Sequence, residues 1–295
     1  MSAGKSVSNI RLNGYNAHIL VKTGGGKLYM KKYTSGALAA LLAGALVMGG
    51  CGSSNTSGED HLARIQKAGK ITVGLEGDWQ PFSFHDSSDN LIGFDVEVAQ
   101  NVAEILGVEA EIIEAPWDGL FAGMSAGTYD MVVNGVDVTE ERQKTYDFTD
   151  PYAYDHTVLV TKEGNADIKA FEDLSGKTTA NSIGSTYMEI GESYGADVKG
   201  VDTLAETMSM VLNDQVDATI NAATSVQDYL HTTGETKLAV IDQLDEATAY
   251  AIPLVKGSDN DSLRAAINDA LKQMRDSGKL AELSVKYFGA DLTNN

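Results

Sequence analysis

From about residue 60 onward the chain alternates short apolar runs of strand character with helical stretches, and this alternation limits its possible folds more than any other feature. Lys70-Ile-Thr-Val-Gly-Leu75 reads as a short buried strand. Phe94, Val98, Val102 and Leu106 recur every four residues, the stripe of an amphipathic helix that Gly107 stops. Residues 111–114 form a strand, 118–126 a short helix closed by Gly127, and 130–133 a further strand. After Pro151 the rhythm restarts, with strands at 157–161, 177–180, 197–201 and 217–221 and helices at 186–194 and 204–213. A strand at 249–255 and helices at 262–277 and 279–288 complete the pattern. Units of this length predict an α/β fold with largely parallel sheets.

Charge narrows the function. The 295 residues carry a net charge of −20, and the first 58 contain no Asp or Glu. Beyond residue 50 there are 16 basic against 42 acidic side chains, a net −26. A body that acidic repels a phosphate backbone, which argues against nucleic acid as a partner. At 43 % hydrophobic residues it still has the material for a core. The single cysteine, Cys51, excludes an intramolecular disulfide and any cysteine-cluster metal site.

Cys51 follows Lys31-Lys32 and a 15-residue uncharged apolar run from Gly36 to Gly50. That run is shorter than the roughly 20 residues needed to span a bilayer, and it ends in small residues, as a secretory signal does. The junction at Cys51 resembles a bacterial lipobox, apart from Met48 where an aliphatic residue is usual. The resemblance implies cleavage before Cys51, lipidation of its sulfur and attachment to the outer face of the cell membrane. The competing reading is an uncleaved anchor helix with an idle thiol. Gly52-Ser-Ser-Asn-Thr-Ser-Gly58 then reads as a flexible polar tether. Residues 1–29 precede a second possible start at Met30 and are set aside in the fold reading.

Signals of catalysis are sparse: no Gly-rich phosphate loop, HExxH or GxSxG occurs, and the five histidines show no metal-ligand spacing. Neither a cofactor nor a metal is expected. A different set of patterns runs from 69 to 289. It comprises Gly74-Leu-Glu-Gly-Asp-Trp-Gln-Pro-Phe-Ser-Phe84, Gly93-Phe-Asp-Val96, Trp117-Asp-Gly-Leu120 and Gly127-Thr-Tyr-Asp130. Val138-Thr-Glu-Glu-Arg142, Tyr146-Asp-Phe-Thr-Asp-Pro-Tyr152 and Gly176-Lys177 follow in order. In this order and spacing the chain resembles the bacterial extracellular solute-binding proteins of family 3, the amino-acid receptors of ABC importers, with cystine-type members nearest.

The chemistry of the segments agrees with that resemblance. A free amino acid presents a carboxylate and an ammonium at fixed separation, so its site needs an always-charged bidentate donor and a nearby carboxylate. The resemblance assigns Arg142 to the α-carboxylate, with Ser185 and Thr186 at a strand-to-helix turn adding hydroxyl and N–H donors. The competing readings are a surface arginine paired with Glu140 or Glu141, and a plain helix cap at Ser185. Many family members place Ser, Thr or Gly where this chain has Asp137, and Asp where it has Ala222. The carboxylate has thus changed lobes, and Asp137 is expected to hold the α-ammonium, unless it only forms a turn. Gly135 would offer a backbone carbonyl to the same group. Trp79 and Trp117, the only tryptophans, occupy the two aromatic positions that sandwich the ligand side chain, although core packing would also suit them. Glu76 stands where some members read a distal amine, and would otherwise be a solvated strand end.

The reading that follows is a two-lobed clamp of the periplasmic-binding-protein type (type II), each lobe a mostly parallel sheet flanked by helices. Lobe one would combine 60–153 with 248–295, lobe two would be 154–247, and the chain would cross near 152–156 and 245–250. A monomer of this kind would bind a polar amino acid, cystine or similar, and dock on an ABC permease. A dehydratase-type enzyme or a sensory input domain on the same scaffold is the alternative.

Overall fold

The computed structural model describes residues 21–22, 28–29 and 60–294. In the first compact unit, through Asn55, these are only β1 (Val21–Lys22) and β2 (Leu28–Tyr29), an antiparallel pair. The expectations for the apolar run, for Cys51 and for the polar tether lie outside the described residues.

The second unit opens with α1 (His61–Ala68), β3 (Lys70–Leu75) and the small antiparallel meander β4 (Asp78–Trp79), β5 (Ser83–His85) and β6 (Leu91–Ile92). Next come α2 (Phe94–Ile105), β7 (Glu109–Glu114), α3 (Trp117–Ser125), β8 (Met131–Val132), α4 (Glu140–Thr145) and β9 (Tyr146–Phe148). The strand β3 lies between β7 and β8 and runs parallel to both. Phe94, Val98 and Val102 of the expected stripe are buried on this sheet, and Leu106 packs at the margin of the same core. Burying one such side chain contributes about 1.5–3 kcal/mol.

Two antiparallel strands then join the lobes: β10 (Ala153–Asp155) pairs with β16 (Thr248–Tyr250). Between them lie β11 (Thr157–Lys162), a 3-10 turn at Phe171–Leu174, β12 (Thr178–Ser182), α5 (Thr186–Ser193), β13 (Asp197–Val201), α6 (Leu204–Leu212), β14 (Ala218–Ala222), α7 (Ala223–Thr233) and β15 (Leu238–Gln243). Their sheet has the order β13-β12-β14-β11-β15. The β12 pairings are parallel as expected, whereas β11 runs antiparallel to both of its neighbours. The cause is topological. The strand β11 leaves the crossing and β15 returns to it, with Val158 opposite Gln243.

The chain then re-enters the first lobe with β17 (Pro253–Val255), α8 (Asp261–Asp276) and α9 (Lys279–Phe288), and both helices pack on α2. The single strand expected at 249–255 is therefore two. After β16, Ala251 N–H donates to the Val136 carbonyl (2.9 Å) and Thr149 N–H to the Ile252 carbonyl (3.0 Å), and β17 continues against β9. The fold is α/β and two-lobed, with mixed sheets.

One polar group is sealed in the first lobe's core. Asp95 is fully buried, and the Tyr152 hydroxyl donates to its Oδ1 (2.8 Å). The Gly135 N–H in turn donates to that hydroxyl (3.1 Å). Asp95 Oδ2 has no partner among the described residues, and burial pushes the carboxyl up to about 7. This chain of bonds ties α2 to the loop that follows β8.

Candidate functional site

The strand β3 ends at Leu75, and the next residues form one wall of a cleft. Asn134, just beyond β8, clamps Glu76 twice: its Oδ1 accepts from the Glu76 N–H (2.9 Å) and its Nδ2 donates to Glu76 Oε2 (2.7 Å). Burial pushes the Glu76 carboxyl up to about 7, and the Asn134 donation opposes that shift. Gly77 adopts the left-handed backbone that favours glycine. Its φ is +84°, and a Cβ there would stand 2.2 Å from Glu114 Oε2. That turn delivers Asp78 and Trp79 to the cleft.

Trp79 is nearly buried and stacks on Phe82, with ring centroids 4.2 Å apart and planes 11° apart. Its other contact explains Gly135, whose φ is +50° and whose Cβ would lie 2.5 Å from Trp79 Cζ3. The expectation for Gly135 concerned its carbonyl; the structure adds that the indole rests directly on this backbone. Trp117, the first residue of α3, lines the same cleft and meets Phe121 edge to face at 5.5 Å.

Asp137 is 8 % exposed, bridged by backbone to Tyr250, and on the cleft wall. Thr139 caps α4 as its sequence position suggests, its Oγ1 accepting from the Arg142 N–H (3.1 Å). This cap directs Arg142 back toward Asp137. Its Nη1 donates to the Asp137 carbonyl (3.2 Å) and to the Asp137 carboxylate, in a mostly buried ion pair. The guanidinium carbon lies 5.2 Å from the ring centroids of both Trp117 and Phe121. Arg142 itself is not on the cleft wall; it stands behind Asp137. It pairs with neither Glu140 nor Glu141.

The facing wall is neutral. Ser185 is the N-cap of α5: its Oγ accepts from the Met188 N–H (3.2 Å) and donates to the Ser182 carbonyl (2.7 Å). That hydroxyl is committed to capping, so Thr186 carries the accessible group there. Its Oγ1 has no hydrogen-bond partner among the described residues. Sequence reasoning missed Asp78, Ser182, Tyr187, Thr203, Leu204 and Asn221, all of which line the cleft. Asn221 is 3 % exposed, its Oδ1 accepts from the Ala222 N–H (2.9 Å), and its Nδ2 has no partner among the described residues. The Tyr187 hydroxyl meets that of Tyr250 at 3.3 Å, a contact from the second lobe to the crossing strands.

Ala222 is fully buried at the start of α7 and does not line the cleft. Asp155 caps that helix: its Oδ2 accepts from the Thr224 N–H (3.3 Å) and hydroxyl (2.6 Å), and its Oδ1 from the His156 N–H (2.7 Å). The cleft so bounded is narrow, with about 30 Å³ of water-accessible space. Its walls carry three carboxylates, from Glu76, Asp78 and Asp137, and no Lys, Arg or His. Seven of the eight expected ligand contacts lie on it, and the eighth, Arg142, is one ion pair away.

Comparison with known proteins agrees with this architecture. Residues 71–290 match the profile of the bacterial extracellular solute-binding proteins, family 3. The chain is 37 % identical over 270 residues to the L-cystine-binding protein TcyA of Bacillus subtilis, covering 90 % of this chain and all of that protein. It is 35 % identical over 260 residues to the L-cystine-binding protein TcyJ of Escherichia coli K12, covering 87 % and 96 % respectively. Among solved structures, an ancestral arginine-binding protein bound to arginine aligns with a TM-score of 0.70 at 32 % identity, over 75 % of this chain and 99 % of that one. The L-cystine solute receptor of Neisseria gonorrhoeae, unliganded and open, scores 0.54 at 36 % identity, over 79 % and 98 %. The lower score at higher identity fits a cleft that is drawn together here. The chain belongs to the bacterial extracellular solute-binding proteins of family 3.

Proposed function

We propose that the chain binds a polar α-amino acid in this cleft, outside the cytoplasm, and hands it to the permease of an ABC importer. The observation that carries the reading is Asp137 on the cleft wall, ion-paired with Arg142 and faced by neutral donors on Thr186 and Asn221. A zwitterion can exchange one internal ion pair for two external ones. Its carboxylate takes the guanidinium, its ammonium takes Asp137, and neither charge is left unpaired. Trp79 and Trp117 would flank the side chain, Gly135 and Ser185 would shape the walls, and Glu76 would meet a distal amine. Kinship to TcyA and TcyJ, which are L-cystine-binding proteins, supports cystine as the first ligand to test.

Lobe one would comprise 60–153 with 248–295 and lobe two 154–247, hinged at the β10–β16 crossing, and the ligand would hold the two closed. The protein would act as a monomer and as a receptor, not an enzyme. A lipid on Cys51 would keep it at the membrane, which Cys51→Ser should abolish, releasing the chain from the membrane fraction. For the ligand, native mass spectrometry of the purified protein should show a co-purified mass, and calorimetry should show cystine binding. A chain that binds no α-amino acid would overturn the proposal.

A further inference from the structure

We infer that Asp78 is a specificity-determining residue of this cleft and that, with Glu76, it selects an α-amino acid bearing a second, distal cationic nitrogen. The inference rests on the amino-acid-binding reading and goes beyond it by naming the group that a second carboxylate reads. Glu76 and Asp78 flank Gly77, and both line the cleft. Neither carboxyl has a cationic partner among the described residues. Glu76 has one oxygen on Asn134 and no partner for Oε1 among the described residues. Asp78 has no ion pair there, and the hydrogen bond to its carboxyl comes from its own backbone. The nearby Glu114 is already bonded to His85 (2.9 Å).

The opposite lobe adds an independent observation. Asp202, next to the cleft-lining Thr203, lines a small gap together with Trp117 and Asp118 of the first lobe, and its charge acts against ionisation of Asp78. Closing the lobes therefore brings carboxylates from both sides together, and the cleft walls supply no cation between them. A ligand with a neutral side chain leaves that repulsion in place. A distal ammonium or guanidinium turns it into attraction across the closing gap. Asp78 is exposed at the cleft mouth, so its share is that of a partly solvated pair, about three- to fivefold in affinity.

The second nitrogen could belong to a basic side chain or to the second headgroup of a disulfide-linked amino acid, and two ligand pairs separate these sources. L-arginine is compared with L-citrulline, and L-cystine with the mixed disulfide of L-cysteine and 3-mercaptopropionate, which lacks one ammonium. Calorimetry on the purified chain gives the affinity ratio within each pair. The parent should prefer the cationic member of at least one pair; Asp78→Asn should cut that ratio about three- to fivefold, and Asp78→Glu should restore most of it. Asp202→Asn, on the other lobe, should lower the same ratio by less. An unchanged ratio in Asp78→Asn, or a parent that prefers the neutral member of both pairs, would overturn the assignment while leaving amino-acid binding intact. A parent that binds none of the four overturns both.

Discussion

On the first-lobe side of the cleft stand Glu76, Asp78 and Asp137 with two tryptophans; on the second-lobe side stand Ser182, Thr186, Tyr187, Thr203 and Asn221. One wall holds charge and flat aromatic surface, and the other holds only uncharged groups, most of them able to hydrogen-bond. Charge acts over distance and before contact, whereas a neutral hydrogen bond acts only once geometry is met. The difference teaches a division of labour. On the proposed reading the first wall would capture and orient the ligand in the open state, and the second would report that the lobes have closed on it.

The greatest expected loss is on the charged wall. Arg142→Ala removes the guanidinium that neutralises Asp137, and losing one half of a buried pair costs about 3–5 kcal/mol. Amino-acid binding should become undetectable by calorimetry while the melting transition persists; affinity within a few-fold of the parent would break the comparison at its strongest point. Asp137→Asn comes next, with about 1.5–3 kcal/mol lost for α-amino acids and much less for their deaminated analogues. Equal losses for the two ligand classes would make Asp137 a turn-former, and Glu76 would become the next candidate for the ammonium. The smallest effect belongs to the neutral wall. Asn221→Ala should cost about 0.5–1.5 kcal/mol, seen in stopped-flow as faster release with little change in association. If Asn221→Ala proved costlier than Asp137→Asn, the division of labour would be reversed.

Much of the frame could be read before any coordinates. The four-residue spacing of Phe94, Val98 and Val102 located α2, and Gly107, at φ +76°, stopped it. The helix α7 escaped notice because Ala-Thr-Ser-Val-Gln-Asp-Tyr-Leu-His-Thr-Thr has no capping side chain of its own and few apolar positions; its cap is Asp155, 68 residues before Ala223. The tryptophans, Asp137 and Glu76 were legible as motif positions. Asp78 and Tyr187 were not, because a cleft-lining role depends on how two lobes meet, and no local pattern encodes that. The behaviour of Arg142 was half legible. Thr139 announced the cap, but the pairing of its guanidinium with Asp137 emerges only from the turn geometry.

The second lobe's sheet draws every strand from one continuous stretch, Thr157 to Gln243, whereas β9 of the first lobe waits for its partner β17. Those two lobes therefore differ in when they can be finished. As the chain emerges during synthesis or export, the neutral wall can reach its final form as soon as Gln243 is out. The charged wall stays incomplete until the last helices, α8 and α9, settle on α2. A truncation just past β15 would leave the second lobe's sheet with all of its strands, while β9 of the first lobe would lack its partner β17.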